Sequence, residues 1–95
     1  MARVKQRTLY PTTQFRRDVK KQWDELISLD WATVIYYLIN DHEIPKKYRD
    51  HALSGEWSGF RECHIKPDWL LIYRIDGDVL TLTLMDTGSH ADLFR

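Results

Sequence analysis

A single cysteine, Cys63, stands in this chain of 95 residues. It cannot close an internal disulfide, and four-cysteine zinc sites are excluded. A reducing, cytoplasmic setting is the simplest reading. Long apolar runs are missing too. The longest, residues 34–39, falls far short of the ~20 residues that span a bilayer, so no membrane partner is expected. The start, Met1-Ala2-Arg3-Val4-Lys5-Gln6-Arg7, has no apolar core of a secretory signal. Glycine and proline are sparse, at 4 and 3, and no segment is repetitive or of low complexity. Net charge is absent as well: 14 basic side chains balance 14 acidic ones. As a bulk number that argues against a polybasic nucleic-acid binder and against an acidic disordered tail.

What remains is one small domain, residues 1–95, with 43% hydrophobic content and one core. The zero charge hides a gradient. Residues 1–30 carry seven bases and four acids, or +3; residues 31–66 carry five of each; residues 67–95 carry two bases and five acids, or −3. Such asymmetry marks either a polar partner or two chain ends that pack together and cancel.

Thr12 or Thr13 is a helix N-cap candidate. Phe15, Val19, Trp23, Leu26 and Ile27 then follow one helical stripe. Asp30 is a second cap candidate, ahead of the stripe Trp31, Val34, Ile35, Leu38 and Ile39. The two helices are expected to join around Ser28 to Asp30. Residues 44–59 read as loop, with Pro45, Gly55 and Gly59. Residues 60–65 alternate between the faces Phe60/Glu62/His64 and Arg61/Cys63/Ile65. Residues 69–75 are continuously apolar, as in a central strand. Asp76-Gly77-Asp78 is a hairpin turn. In residues 79–85, Leu80/Leu82/Leu84 alternate with Thr81/Thr83. Residues 3–10 supply one further strand. The plan is α+β, in the order β-α-α-β-β-β.

Four histidines invite chemistry. His42 follows the second helix and reads as a solvated loop residue. His51 lies in the loop, His64 near a strand end with Asp68 four residues on, and His90 after Thr87-Gly88-Ser89. The turn near Pro67 is expected to share one end of the meander with Val79, and the segment after Met85 the other. Sheet curvature would then be needed to join His64 to His90. Histidine with carboxylate serves two uses. One is metal binding, but no His-x-x-x-His pair or comparable spacing is present. No metal or cofactor is therefore expected. The other is acid–base catalysis near neutrality. RNA suits it, because the 2′-hydroxyl is a built-in nucleophile. Taken singly, each histidine is more often packed or solvated than catalytic. Cys63 and His64 alternate to opposite faces, which reads Cys63 as a small core residue. Trp57 and Trp69 read as loop or core anchors.

Three blocks carry a resemblance. They are Asp50-His51-x-Leu53-x-Gly55; Gly59-x-Arg61-x-Cys63-His64-Ile65-x-Pro67-Asp68-Trp69-Leu70-Leu71-Ile72-Tyr73; and Thr87-Gly88-Ser89-His90-x-Asp92-Leu93-Phe94. Together they resemble the YafQ branch of the RelE/ParE toxin superfamily. The resemblance implies two N-terminal helices on a curved antiparallel sheet. It implies the toxin of a type II toxin–antitoxin pair, an endoribonuclease that enters the ribosomal A site and cuts mRNA there. On this sequence the family's acid–base residues fall on His51, His64, Asp68 and His90. His90 would be the general acid and His64 or Asp68 the base, with His51 steadying phosphate charge or sharing the base role. Phe94 would stack on a base, and Arg61, Lys46 and Lys47 would meet phosphate. Many relatives carry arginine where this chain has Asp86, which opposes phosphate charge rather than offsetting it. The implied partners are the 70S ribosome with its mRNA and a cognate antitoxin. That antitoxin would be of ribbon-helix-helix type, in a heterotetramer, and operator DNA would be reached only through it. Two other readings stay open: a ParE-like toxin that inhibits gyrase without nuclease chemistry, and a decayed toxin acting as an antitoxin-bound co-repressor.

Overall fold

The computed structural model describes residues 6–87. Strand β1 is Thr8–Pro11, helix α1 is Thr13–Lys21 and helix α2 is Leu29–Ile39. Strands β2 (His51–Ala52), β3 (Arg61–Lys66), β4 (Trp69–Asp76) and β5 (Val79–Thr87) follow. They form one sheet in the order β1-β5-β4-β3-β2. The meander β2 to β5 is antiparallel. β1 adds a parallel edge on β5, with Thr8 opposite Val79 and Pro11 opposite Leu82. The sheet is therefore mixed rather than purely antiparallel, although the element order is the one the sequence implied, with the short strand β2 added.

Thr12 caps α1: its side chain accepts from the Phe15 N–H at 3.0 Å. The cap of α2 is Ser28 rather than Asp30, and it accepts from the Trp31 N–H at 3.1 Å. Asp30 sits instead in the first turn, where the helix dipole favours a carboxylate. The long first stripe does not continue as α-helix. After Gln22 the chain tightens into a 3₁₀ segment, Trp23–Ile27, which links the two helices. At three residues per turn the stripe rotates away from the core. Trp23 and Ile27 are left exposed, while Leu26 still packs inward.

Both helices cover one sheet face. Phe15, Val34 and Leu38 meet Cys63, Ile65, Trp69, Leu71, Tyr73, Leu80, Leu82 and Met85 in one cluster. Trp31 bridges Phe15 and Trp69, with ring centroids 6.0 and 5.9 Å away. Each fully buried aliphatic side chain here contributes about 1.5–3 kcal/mol. Gly77 holds the hairpin turn at φ 60°.

Two bulges adjust the pattern. One lies between His64 and Lys66, where β3 hands over to β4. The other lies opposite the step from Ile72 to Tyr73 and adds Thr83 to β5. Beyond it the core position passes to Met85, and Leu84 is only half-buried. The simple Leu80/Leu82/Leu84 alternation is corrected there, because an extra residue reverses which side faces the helices.

Candidate active site

The loop of residues 44–59 contains a short strand that its sequence did not announce. β2 is two residues long and places His51 opposite Glu62 of β3. Partnered residues point to one face of a sheet, and so do residues two apart on a strand. His51, Glu62 and His64 therefore converge on one side. Nε2 of His51 lies 3.4 Å from Glu62 Oε1, and Nε2 of His64 lies 3.3 Å from the same oxygen. The imidazole centroids are 6.1 Å apart.

Glu62 is 5% exposed, the one buried charged residue among those described. A buried carboxylate needs partners to offset its desolvation; a hydrogen bond from His64 Nε2 supplies one, and His51 supplies a second when it is protonated. Glu62 was not singled out beforehand. Its signal was present in the strand parity that sets it beside His64, but its burial depends on β2 arriving alongside.

The two rings differ. His51 Nδ1 lies 2.7 Å from the Arg49 carbonyl oxygen. A carbonyl only accepts, so Nδ1 carries a proton there. Neutral His51 then presents an unprotonated Nε2 toward Glu62 and the open side, where the side chain is half exposed. His64 is more enclosed, and its Nδ1 is buried without a partner among the described residues. Donation from Nε2 to Glu62 leaves that Nδ1 as a lone pair, cheaper to bury than an N–H. Burial lowers the His64 pKa from its ordinary value; Glu62 pulls the other way, and Arg49 and His51 add to the lowering.

The other expected residues are scattered around this trio. Asp68 is exposed in the β3–β4 turn, outside it. Arg61 bonds Asp50 through Nε at 3.2 Å and Nη2 at 2.8 Å, with its side chain 40% exposed. Lys46 and Lys47 are exposed on the 3₁₀ turn Lys46–Tyr48, whose Tyr48 is buried, with Lys47 Nζ over the Tyr48 ring at 5.0 Å. His90 and Phe94 lie outside the described residues. β5, however, exits where His64 sits. Thr87 pairs with Trp69, Asp86 with Leu70, and Leu70 with His64. The expectation that the chain after Met85 leaves at the far end is thus corrected. Successive hairpins alternate ends, so the exit of β5 shares an end with the Pro67 turn. The same register puts Asp86 on the face of His64, two strands away.

A cavity of about 240 Å³ opens beside His64, walled by Asp30, Lys47, Tyr48, Arg49 and Lys66. Lys66 reaches back to Glu25 Oε2 at 2.6 Å. Cys63, fully buried on the opposite face, has its thiol pushed far up by burial, with Asp50 and Glu62 adding to it. It is a core residue, as its alternation suggested. Trp69 is buried in the core, and Trp57 packs edge-on against Phe60 at 5.3 Å. His42 is exposed and stacks on Tyr36, away from the trio.

The arrangement offers a proton acceptor, a buried carboxylate between two imidazoles, and a basic groove alongside. The three ligand atoms of His51, Glu62 and His64 also lie within 4.8 Å of one another, so the trio could hold a metal ion. A family model described as the bacterial YafQ toxin of type II toxin–antitoxin systems matches residues 7–95. The chain belongs to the YafQ toxin family. It is 37% identical over 93 residues to the mRNA interferase toxin YafQ of Escherichia coli K12, covering 94% of this chain and 97% of that one. The crystal structure of the Escherichia coli DinJ–YafQ complex superposes with a TM-score of 0.76 at 34% identity, over 95% of this chain and 100% of the other. A metal-bound toxin from Helicobacter pylori gives a TM-score of 0.76 at 33% identity, over 92% and 98%. The helix-on-sheet plan is thus that of YafQ.

Proposed function

We propose that this YafQ-family chain is an mRNA endoribonuclease toxin that cuts in the ribosomal A site by acid–base catalysis. The observation that carries the reading is the His51–Glu62–His64 convergence. His51 Nε2, with Glu62 beside it to steady the imidazolium that forms, takes the proton of the mRNA 2′-hydroxyl. The 2′-oxygen attacks the adjacent phosphorus, and the bond to the 5′-oxygen breaks. His90 returns a proton to that leaving oxygen. His64 donates to Glu62 and fixes the carboxylate, and Asp68, in the exposed turn after β3, serves as a second acceptor. The products are a 2′,3′-cyclic phosphate and a 5′-hydroxyl.

Phosphate charge is met by Lys47, Arg49 and Lys66 along the groove at His64, and by Lys46 and Arg61 in a second cavity that shares Arg49 with that groove. Phe94 stacks on a base. Binding weakens as salt rises, since each phosphate contact releases counterions. The partners are the ribosome with its mRNA and a cognate antitoxin. That antitoxin is of ribbon-helix-helix type, in a heterotetramer that alone touches operator DNA. The family relative bound to DinJ supports the antitoxin, and the cytoplasm is where both partners would be met. The same trio has donors that suit zinc or copper, and a metal-bound toxin shares this fold. An ion held there would occupy the nitrogen the proton needs.

The test is cleavage of a defined mRNA on programmed ribosomes by the wild-type chain and by His51→Ala, His64→Gln and His90→Gln, with the ends mapped. Cyclic phosphate ends in the wild type and slowed cleavage in each variant are expected. Equal cleavage by all four, or intact mRNA with the wild type, overturns the reading.

A further inference from the structure

His51 rests on a support too slight to hold it unaided. β2 has two residues, and both are exposed. The bond from His51 Nδ1 to the Arg49 carbonyl is local and ties the ring to its own loop, not to the sheet. The loop itself is strained. Arg49 holds φ 52° and ψ 41°, a left-handed conformation that a residue with a side chain seldom adopts. Such a conformation persists only where its surroundings over-determine it.

The next residue supplies the constraint. The Asp50 carboxylate is mostly buried and faces the two central strands rather than solvent. Its Oδ2 accepts from Arg61 Nε and Nη2, and its Oδ1 accepts from the Tyr73 hydroxyl. Arg61 and Tyr73 are partners across β3 and β4, so both donors come from one rung of the sheet. Tyr73 is 1% exposed and cannot swing away. Arg61 and Ala52 are also partners, so the anchoring rung adjoins the one that pairs His51 with Glu62. One carboxylate thus pins the strained loop at a point one residue before His51.

We infer that Asp50 is a positioning residue: its clasp on Arg61 and Tyr73 holds His51 Nε2 beside Glu62. This deepens the acid–base reading of His51 and rests on it. In this role Arg61 acts on the reaction from behind the site, through its two side-chain hydrogen bonds to Asp50. Burial, with Asp50 adding to it, pushes the Tyr73 hydroxyl pKa upward, which keeps that hydroxyl a donor.

The test is a double-mutant cycle in the ribosome cleavage assay, with wild type, Asp50→Asn, His51→Ala and the double variant. Asp50→Asn is expected to lower kcat about 10- to 100-fold, the scale of a misplaced catalytic group, with KM moved less than about two-fold. In the His51→Ala background the same change is expected to alter the rate less than about two-fold, because its effect passes through His51. Wild-type kcat in Asp50→Asn overturns the inference. So does a loss in the His51→Ala background as large as that in the wild type, which would mark a general structural role. Full activity of His51→Ala overturns the acid–base reading instead, and is told apart by that single variant. If Asp50→Asn does not fold, Tyr73→Phe removes one of the three bonds while keeping the buried ring, and serves in the same cycle with the same outcomes.

Discussion

Nε2 of His64 stands 3.3 Å from Oε1 of Glu62, and that carboxylate is almost wholly withdrawn from water. The pair works against itself in an informative way. Burial lowers the His64 pKa, and the Glu62 charge raises it. Glu62→Gln keeps the shape and removes the charge. His64 should then titrate at still lower pH. The acid limb of the kcat/KM profile should move the same way, with the neutral-pH rate reduced about 10²-fold or more, as expected when a general acid–base system loses a member. An NMR titration of His64 beside the pH–rate profile measures both. An unmoved His64 titration would disconnect the two residues.

The same lowered pKa makes a statement about stability. Unfolded His64 titrates near about 6.5, and folded His64 below that. Between the two values the unfolded chain holds more protons than the folded one, so stability rises with pH. The contribution is complete above the unfolded value and is lost as pH falls from it through the folded value. Chemical denaturation of the wild type should show this decline on acidification. His64→Gln should show a shallower one across the same window. Parallel slopes would remove His64 as a source.

The fold was largely legible because strand parity and helical stripes are local. The apolar block at Trp69 and the Gly77 turn needed no tertiary knowledge. The parallel edge was not legible, since Thr8–Pro11 pairs with residues about seventy positions on. Nor were the bulges, of which the one in β5 shifts the inward face from Leu84 to Met85 without a marker in the sequence. The candidate site was half legible. His64 and its strand face were readable, whereas Glu62 became a buried partner only because two residues of an aperiodic loop pair with β3. The tie from Arg61 to Asp50 was not legible either, because nothing local shows that a residue eleven positions earlier takes two of its N–H groups.

The spacing of His51, Glu62 and His64 also predicts how metal should act. Their ligand atoms lie within 4.8 Å of one another, and imidazole with carboxylate suits zinc and copper. An ion coordinated there would take up the Nε2 lone pair that accepts the proton. Chelator-treated protein should therefore cleave as fast as untreated protein, and added zinc or copper should slow it. Glu62→Gln should bind the ion more weakly by calorimetry, since a neutral amide is a poorer ligand than a carboxylate. Loss of cleavage on chelation, restored by the metal, would sink the metal-free route.

The bulge in β5 carries the last prediction. An inserted residue breaks the ladder and leaves backbone groups to be satisfied elsewhere. Here α1 and its N-cap satisfy two of them. The Thr12 hydroxyl donates to the Thr83 carbonyl at 2.6 Å, and Asp18 Oδ2 accepts from the Met85 N–H at 2.9 Å, across 67 residues of chain. Asp18→Ala would strand a donor beside a buried methionine, at a cost of about 1–3 kcal/mol. For a domain this small each kcal/mol lowers Tm by roughly 4–8 °C. Asp18→Asn retains an acceptor oxygen and should recover most of the loss. Cleavage measured well below Tm should be unchanged in both variants, because Asp18 lies on the helix side of the sheet and the trio on the other. Thermal and denaturant unfolding of the three proteins decide it, and an Asp18→Ala chain as stable as the wild type would refute the bond's role in holding the bulge.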